Sequence, residues 1–304
     1  MSTTTVDQTR RAARQAEIVR PTFFRTLRGD SPFKRLVIHA TLIVSCVIAA
    51  YPILRIMSIA LRPGDRLLST SLQIIPDDAT LEAFRVVLVD KDFLLWIWNS
   101  LIITIATASI GVILAATSAY AFSRWKFPGR SVGMVFLLAT QMIPAAMLMI
   151  PIFIVATQMG FVNSYRGLVL AYAVSSVPFS VWILKGYYDT VPIDLEEAAK
   201  IDGASQMQAF TRVLLPLSTP ALAIVFLFNF MTAWNDFMLA RVMVGSVANL
   251  HTWTIGFRGF FDVFRTSWGH FAAASIMVMI PVMALFLYSS KWLISGLTLG
   301  SVKG

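Results

Sequence analysis

The sequence predicts an all-α integral membrane protein with six transmembrane helices and a cytoplasmic helix-turn-helix loop. Three observations carry that prediction. Of the 304 residues, 57% are hydrophobic and only 13% are charged, about half the charged share of an ordinary soluble domain, and the mean hydropathy is +0.72. Apolar runs recur at lengths that cross a hydrocarbon core of about 30 Å. Between two of these runs lies a polar island, residues 192–220, with the punctuation of two short helices.

Taken in order, residues 1–35 form a polar cytoplasmic segment with eight basic residues: Arg10, Arg11, Arg14, Arg20, Arg25, Arg28, Lys34 and Arg35. A basic stretch before a first span is what the positive-inside rule expects of a cytoplasmic N-terminus. It also accounts for much of the net charge of +9, so that charge does not argue for nucleic acid. The first span is read at 36–57; it lacks a small-residue cleavage site and stays as an anchor. Residues 58–92 form an outside loop with four basic and six acidic residues, and Trp96 and Trp98 mark the outer interface. The second span, 93–122, starts near Asn99-Ser100 and ends in "AYAFSRWKFPGR", where Arg124, Lys126 and Arg130 return the chain to the cytoplasmic side.

The third span, 132–156, contains Pro144 and Pro151 and is expected to kink. The fourth is read at 167–183. The fifth, 221–237, carries Asn229, Thr232, Trp234, Asn235 and Asp236. Amides inside a membrane helix need partners, so Asn229 and Asn235, with Trp234, are read as facing the helix bundle or a substrate path. Residues 238–270 form the last outside segment. Its aromatics, Trp253, Phe257, Phe260, Phe261, Phe264 and Trp268, suit an interfacial belt better than stacking on sugar rings. The sixth span is read at 271–293. The transmembrane domain as a whole is placed at 36–296, followed by a cytoplasmic tail at 297–304. Cys46 stands alone and His39, His251 and His270 are scattered, so neither a disulfide nor a metal site is expected.

The polar island organises the rest. Asp194 with Glu197, and Ser205 with Gln208, have the spacing of capping boxes. Gly203 lies between them, where the chain must reverse. Pro216 is expected to end the second helix, and Pro220 to sit in the first turn of the next. Ala198 and Ala199 allow close approach. Leu195, Ala199 and Ile201 give a weak apolar face, and Phe210, Val213, Leu214 and Leu215 a stronger one. An ordinary loop needs none of this, whereas a segment docking into a cleft on a soluble partner does.

The order Glu197-Ala198-Ala199, Asp202-Gly203-Ala204, Leu215-Pro216 resembles the cytoplasmic "EAA" loop of ABC importer permeases. The likeness runs along most of the chain and is nearest to the carbohydrate-uptake branch, of the maltose/maltodextrin inner-membrane subunit type. The resemblance implies that Glu197, Ala198, Ala199, Asp202, Gly203 and Pro216 belong to a coupling helix seated on an ATPase subunit. It implies a homologous partner permease, two ATPase subunits and an extracytoplasmic sugar-binding protein facing 238–270. It implies that the tail, "SGLTLGSVKG", with Gly300 and Lys303, reaches the ATPase pair. The substrate would be an oligosaccharide of maltose, maltodextrin or trehalose type, although Trp234-Asn235 departs from the maltose-type pattern and leaves the sugar open. The chain would reside in a bacterial or archaeal inner membrane, with both termini cytoplasmic.

No Gly-x-x-x-x-Gly-Lys-Ser/Thr loop occurs, so no catalytic residue is assigned, and ATP and Mg are expected on the partner ATPase. The alternatives are an importer permease for another solute and a secondary transporter. The latter usually shows internal repeats and mid-membrane ionisable groups, and few such groups are found here.

Overall fold

The computed structural model describes residues 31–65, 73–261 and 266–301, with side chains described up to Trp292. The chain divides into two units, Met1–Ser58 and Ile59–Gly304. The described part of the first belongs to helix α1, Pro32–Ala60. Its apolar side chains are exposed, as in Leu36, Ile43 and Ile48, which suits a helix solvated by lipid.

The second unit is built on α3 (Phe93–Arg124) and α6 (Tyr165–Tyr188), with α9 (Thr219–Asn235) packed against both. Small residues make this packing close. Ala108, Gly111, Ala115, Ala116 and Ala119 lie buried along α3, where helices without bulky side chains approach backbone to backbone. Gly111 is required: a Cβ there would lie 2.8 Å from Asn229 Oδ1 on α9. Asn229 in turn donates to Ser180 Oγ on α6 (3.0 Å) and to the Val225 carbonyl (2.7 Å).

Four helices, α1, α3, α6 and α12 (Trp268–Ser301), are each long and apolar enough to cross a membrane; counting two bent pairs as one span each gives six. The first pair is α4 (Arg130–Thr140) and α5 (Ala145–Gln158), at 102°. One kinked helix was expected over 132–156, yet only one of its prolines acts. Pro144 lacks an N–H and drives the residue before it out of the helical region, so the helix stops at Thr140 and restarts at Ala145. Pro151 stays inside α5. The second pair is α8 (Gln206–Leu217) and α9, at 79°.

The outside loop read at 58–92 contains a helix that was not expected, α2 (Glu82–Val89), which buries Ala83 and Val87 and packs on α12. The segment 238–270 also folds, into α10 (Met238–Val244) and α11 (Trp253–Gly256) followed by a 3-10 turn, Phe257–Phe260. Its aromatics are not simply a belt. Phe257 and Phe260 are buried and meet edge to face (5.6 Å between centroids), Phe257 also touches Trp253 (4.9 Å) and Phe271 (5.4 Å), and Trp96 reaches Phe260 (6.2 Å). Edge-to-face geometry favours such rings over face-to-face stacking, and the cluster becomes a small core. Phe264 lies outside the described residues. The tail read from 297 begins inside α12, which continues as helix through Ser301; Lys303 lies outside the described residues.

Candidate functional site

The polar segment after α6 folds as two short helices, α7 (Asp194–Ile201) and α8. Gly203 turns the chain between them at φ 90°, a left-handed conformation that L side chains adopt at a cost. Ser205 and Gln208 form the expected capping box: Ser205 Oγ accepts from the Gln208 N–H (3.2 Å) and Gln208 Oε1 from the Ser205 N–H (2.7 Å).

The box read from Asp194 and Glu197 is absent. Ile193 is the N-cap and Asp194 the first helical residue, so its carboxylate faces the helix dipole without capping. Pro216 also departs from expectation. The helix runs past it to Leu217, and the preceding turn widens so that the Leu215 N–H bonds to the Phe210 carbonyl. The π turn lies just before Pro216, and the helix continues past the proline. The break falls at Ser218, and Pro220 stands in the first turn of α9 as expected.

What holds this hairpin to the membrane helices is a buried ion pair. Arg124, the last residue of α3, donates from Nε to Glu196 Oε1 at 2.6 Å, with side chains 6% and 2% exposed. Its Nη1 donates to the Tyr188 carbonyl (2.9 Å) and to Ser123 Oγ (3.0 Å), and Nη2 to the Val191 carbonyl (3.1 Å). Tyr120 donates to the second carboxylate oxygen, Glu196 Oε2 (2.8 Å), and accepts from Gln206 Nε2 on α8. Phe210 of α8 packs on the Tyr120 ring (4.5 Å) within a buried cluster with Leu184, Tyr188 and Leu214.

Removing both charges from water is expensive, and only a partnered geometry of this kind offsets it. One guanidinium thereby joins the end of α3, the end of α6 and the start of the hairpin. Beside it Asp189 accepts from Lys185 (2.5 Å) and Ser123 (2.7 Å). Burial works to raise its carboxyl, but these bonds and the positive charges of Lys185 and Arg130 outweigh it and hold the pKa below the ordinary value.

The residues named from sequence lie on the other face. Glu197, Ala198, Asp202, Gly203 and Pro216 are exposed and Ala199 is half-buried. Around them the hairpin shows apolar side chains to the outside: Ile201 is 86% exposed, Met207 65% and Leu195 45%. Isolated exposed apolar residues are ordinary. Here three fall on one short hairpin clamped by a buried charge pair, which suits a docking surface. Glu196, Arg124 and Tyr120 were missed as site residues. The one signal that could have found them is the two adjacent acids in a single turn, which point in different directions from a helix.

The other end of α3 is tied as firmly. Asn99 donates to the carbonyls of Asn249 and His251 (both 2.9 Å) and accepts from Tyr165 (2.7 Å), and Ser100 Oγ accepts from the Trp253 N–H (2.9 Å). Of the residues read as a path, Asn229 is fully buried in helix packing. Trp234, stacked on Phe230, and the exposed Asn235 instead line an apolar cavity of about 720 Å³ between α9 and α12, with Trp253, Phe257 and Ser275. Among the described residues no group of His, Cys, Asp and Glu could hold a metal.

A multi-helix membrane protein that clamps an apolar-tipped helical hairpin onto its span ends has the architecture of a transporter's membrane subunit. The chain belongs to the family of binding-protein-dependent transport system inner membrane components, whose profile matches residues 107–298. It is 34% identical over 285 residues to the maltose/maltodextrin transport system permease protein MalG of Yersinia pestis, covering 88% of this chain and 92% of that one. It is 36% identical over 262 residues to the galactooligosaccharides transport system permease protein GanQ of Bacillus subtilis, with coverages of 85% and 92%. A solved bacterial ABC transporter involved in import of the acidic polysaccharide alginate shares the fold, with a TM-score of 0.75 and 23% identity over 89% of this chain and 99% of that one.

Proposed function

We propose that this chain is one permease half of an ATP-driven oligosaccharide importer, for sugars of maltose, maltodextrin or trehalose type. It works with a homologous partner permease, two ATPase subunits and an extracytoplasmic sugar-binding protein. The names of its relatives support the sugar class. One observation carries the mechanism: the buried Arg124–Glu196 pair fixes the docking hairpin to α3 and α6.

The hairpin seats an ATPase subunit through Glu197, Ala198, Ala199, Asp202, Gly203 and Pro216, with Leu195, Ile201 and Met207 entering its cleft. ATP and Mg are bound by that subunit, and this chain contributes no ATPase site. When the subunits close on ATP, the hairpin moves with them. Glu196 transmits the displacement to Arg124, hence to α3. Its 32 residues span roughly 48 Å, and its far end holds residues 249–253 through Asn99 and Ser100. The extracytoplasmic segment therefore shifts together with the hairpin, and the spans alternate between openings. Trp234 and Asn235 face the path; Asn229 keeps α3, α6 and α9 in register beside it. Both termini are cytoplasmic, and the tail, with Gly300 and Lys303, contacts the ATPase pair.

Reconstitution tests this reading. Proteoliposomes holding this chain, its partner permease and the ATPase subunits should take up a maltodextrin only when ATP and the binding protein are both supplied. Uptake driven by an ion gradient without ATP would contradict it.

A further inference from the structure

The break between α4 and α5 borders a second cavity. It measures about 310 Å³ and lies between the start of α5, the middle of α6 and the C-terminal end of α9. Its polar lining is Tyr172, Ser175, Thr232 and Asp236, set among apolar walls that include Met149 and Ile152. Irregular backbone inside a membrane is tolerated where it lines a cavity or packs on protein. Here Gln141, within the break, donates from Nε2 to the Ser175 carbonyl at 3.2 Å. Two small residues, Ala145 and Ala146, begin α5 after Pro144 and leave the space open.

The polar groups are set for a ligand that both gives and takes hydrogen bonds. Tyr172 is buried, and its hydroxyl stands 3.5 Å from Asp236 Oδ2. That separation exceeds the roughly 2.5–3.0 Å of an ordinary O–H···O bond. A ligand hydroxyl beside the pair accepts from Tyr172 and donates to Asp236, which neither a bare cation nor an anion does. An ionised carboxylate has about four accepting sites. The Leu239 N–H, 3.2 Å from Oδ1 and 3.1 Å from Oδ2, takes up part of that capacity. Thr232 Oγ1 donates to the Phe228 carbonyl (2.8 Å) and Ser175 Oγ to the Ala171 carbonyl (3.1 Å). Both hydroxyls thus spend their protons on their own helices, and their oxygens are left to accept.

We propose that this cavity holds one ring of the translocated saccharide, with Tyr172 donating to a sugar hydroxyl and Asp236 accepting from it. The assignment rests on the importer reading above and gives this chain a sugar contact apart from Trp234 and Asn235. The volume stands at the lower end of small-molecule pockets, which run from about 300 to 1,000 Å³, and so suits a single ring. A lipid tail would leave the carboxylate and three hydroxyls against hydrocarbon without partners, which is costly. The site also lies on the transmission route. Tyr172 and Ser175 belong to α6, whose far end is held by Arg124 through the Tyr188 carbonyl. Movement of the hairpin therefore reaches this wall of the cavity.

The test uses proteoliposomes holding the full complex, supplied with ATP and binding protein, and reads maltotriose taken up against ATP hydrolysed. Tyr172→Phe keeps the buried ring, and Asp236→Asn keeps an oxygen for the Leu239 N–H. Each should lower the maltotriose moved per ATP about tenfold. Maltotriose derivatives lacking one hydroxyl then locate the contact. For one of them the wild-type ratio should fall by a similar factor and Tyr172→Phe should lower it no further, since the two changes remove the same hydrogen bond. Effects that multiply for every derivative overturn the proposal. An unchanged ratio, whether uptake and hydrolysis both persist or both fall, overturns it too and leaves Asp236 with the start of α10 alone. Wild-type uptake that depends on sodium, with the dependence lost in Asp236→Asn, assigns the cavity to a cation, with the same consequence. Each of these outcomes leaves the importer reading standing. A wild-type complex that moves no maltotriose with ATP and binding protein removes that reading, and this proposal with it.

Discussion

Arg124→Ala should leave the chain inserted in the membrane and strip it of its ATPase subunits. The substitution abandons the Glu196 carboxylate in a site where it is 2% exposed and frees the Tyr188 and Val191 carbonyls as well. Breaking a buried pair from one side costs about 3–5 kcal/mol, because the remaining charge keeps its desolvation penalty without its partner. That cost exceeds what a two-helix hairpin can absorb locally, so the hairpin detaches while the apolar spans stay in place. Glu196→Ala should behave alike. The double variant Arg124→Ala/Glu196→Ala should cost clearly less than the sum of the two, since no orphan charge remains. Hydrogen exchange over residues 194–217, read beside ATPase co-purification, checks this. Single variants that protect the hairpin as well as wild type would show that the pair is ornamental.

Gly203→Leu should have the second largest effect, by a different route. The residue sits at φ 90° with nothing within 4 Å of where a Cβ would stand. Within the chain the cost is backbone strain alone, on the order of 1–2 kcal/mol. The larger loss is expected at the docking surface, where a branched side chain would project from the exposed turn. Gly203→Asn separates the two terms, because asparagine tolerates the left-handed region yet still adds bulk. Both variants should reach the membrane at wild-type levels. Gly203→Leu should retain less than about a tenth of the bound ATPase, consistent with a lost contact of roughly 1.4 kcal/mol or more, and Gly203→Asn an intermediate amount. Wild-type uptake and ATPase retention for Gly203→Leu would remove the steric argument.

Local rules were legible in the sequence where they act over a few residues. The Ser205–Gln208 box, the reversal at Gly203 and the place of Pro220 follow from short-range chemistry, and the structure has all three. The apolar runs likewise marked the four helices long enough to cross a membrane, and the other two runs fall on the two bent pairs. What escaped depends on distant partners. Glu196 and Glu197 are indistinguishable by composition. Only the arrival of Arg124, 72 positions earlier in the chain, buries one and leaves the other to the outside. Arg124 itself read as one more positive charge on the inner side.

Two further features had the same origin. The break at Pro144 was visible as a kink, but its 102° size depends on what α4 and α5 pack against. The Phe257–Phe260 cluster read as an interfacial belt because aromatics at a membrane edge and aromatics in a small core have the same composition. Trp96, more than 150 residues away in sequence, supplies one of its walls.

The central claim, that the hairpin at 194–217 is the seat of the ATPase, is tested most directly by a photo-crosslinker placed at Ile201 in the assembled complex. Ile201 is 86% exposed, so the probe should not disturb the hairpin. Illumination should give a single adduct with the ATPase subunit, and its yield should change when ATP is added. Adducts with lipid or with the partner permease, and none with the ATPase, would contradict it.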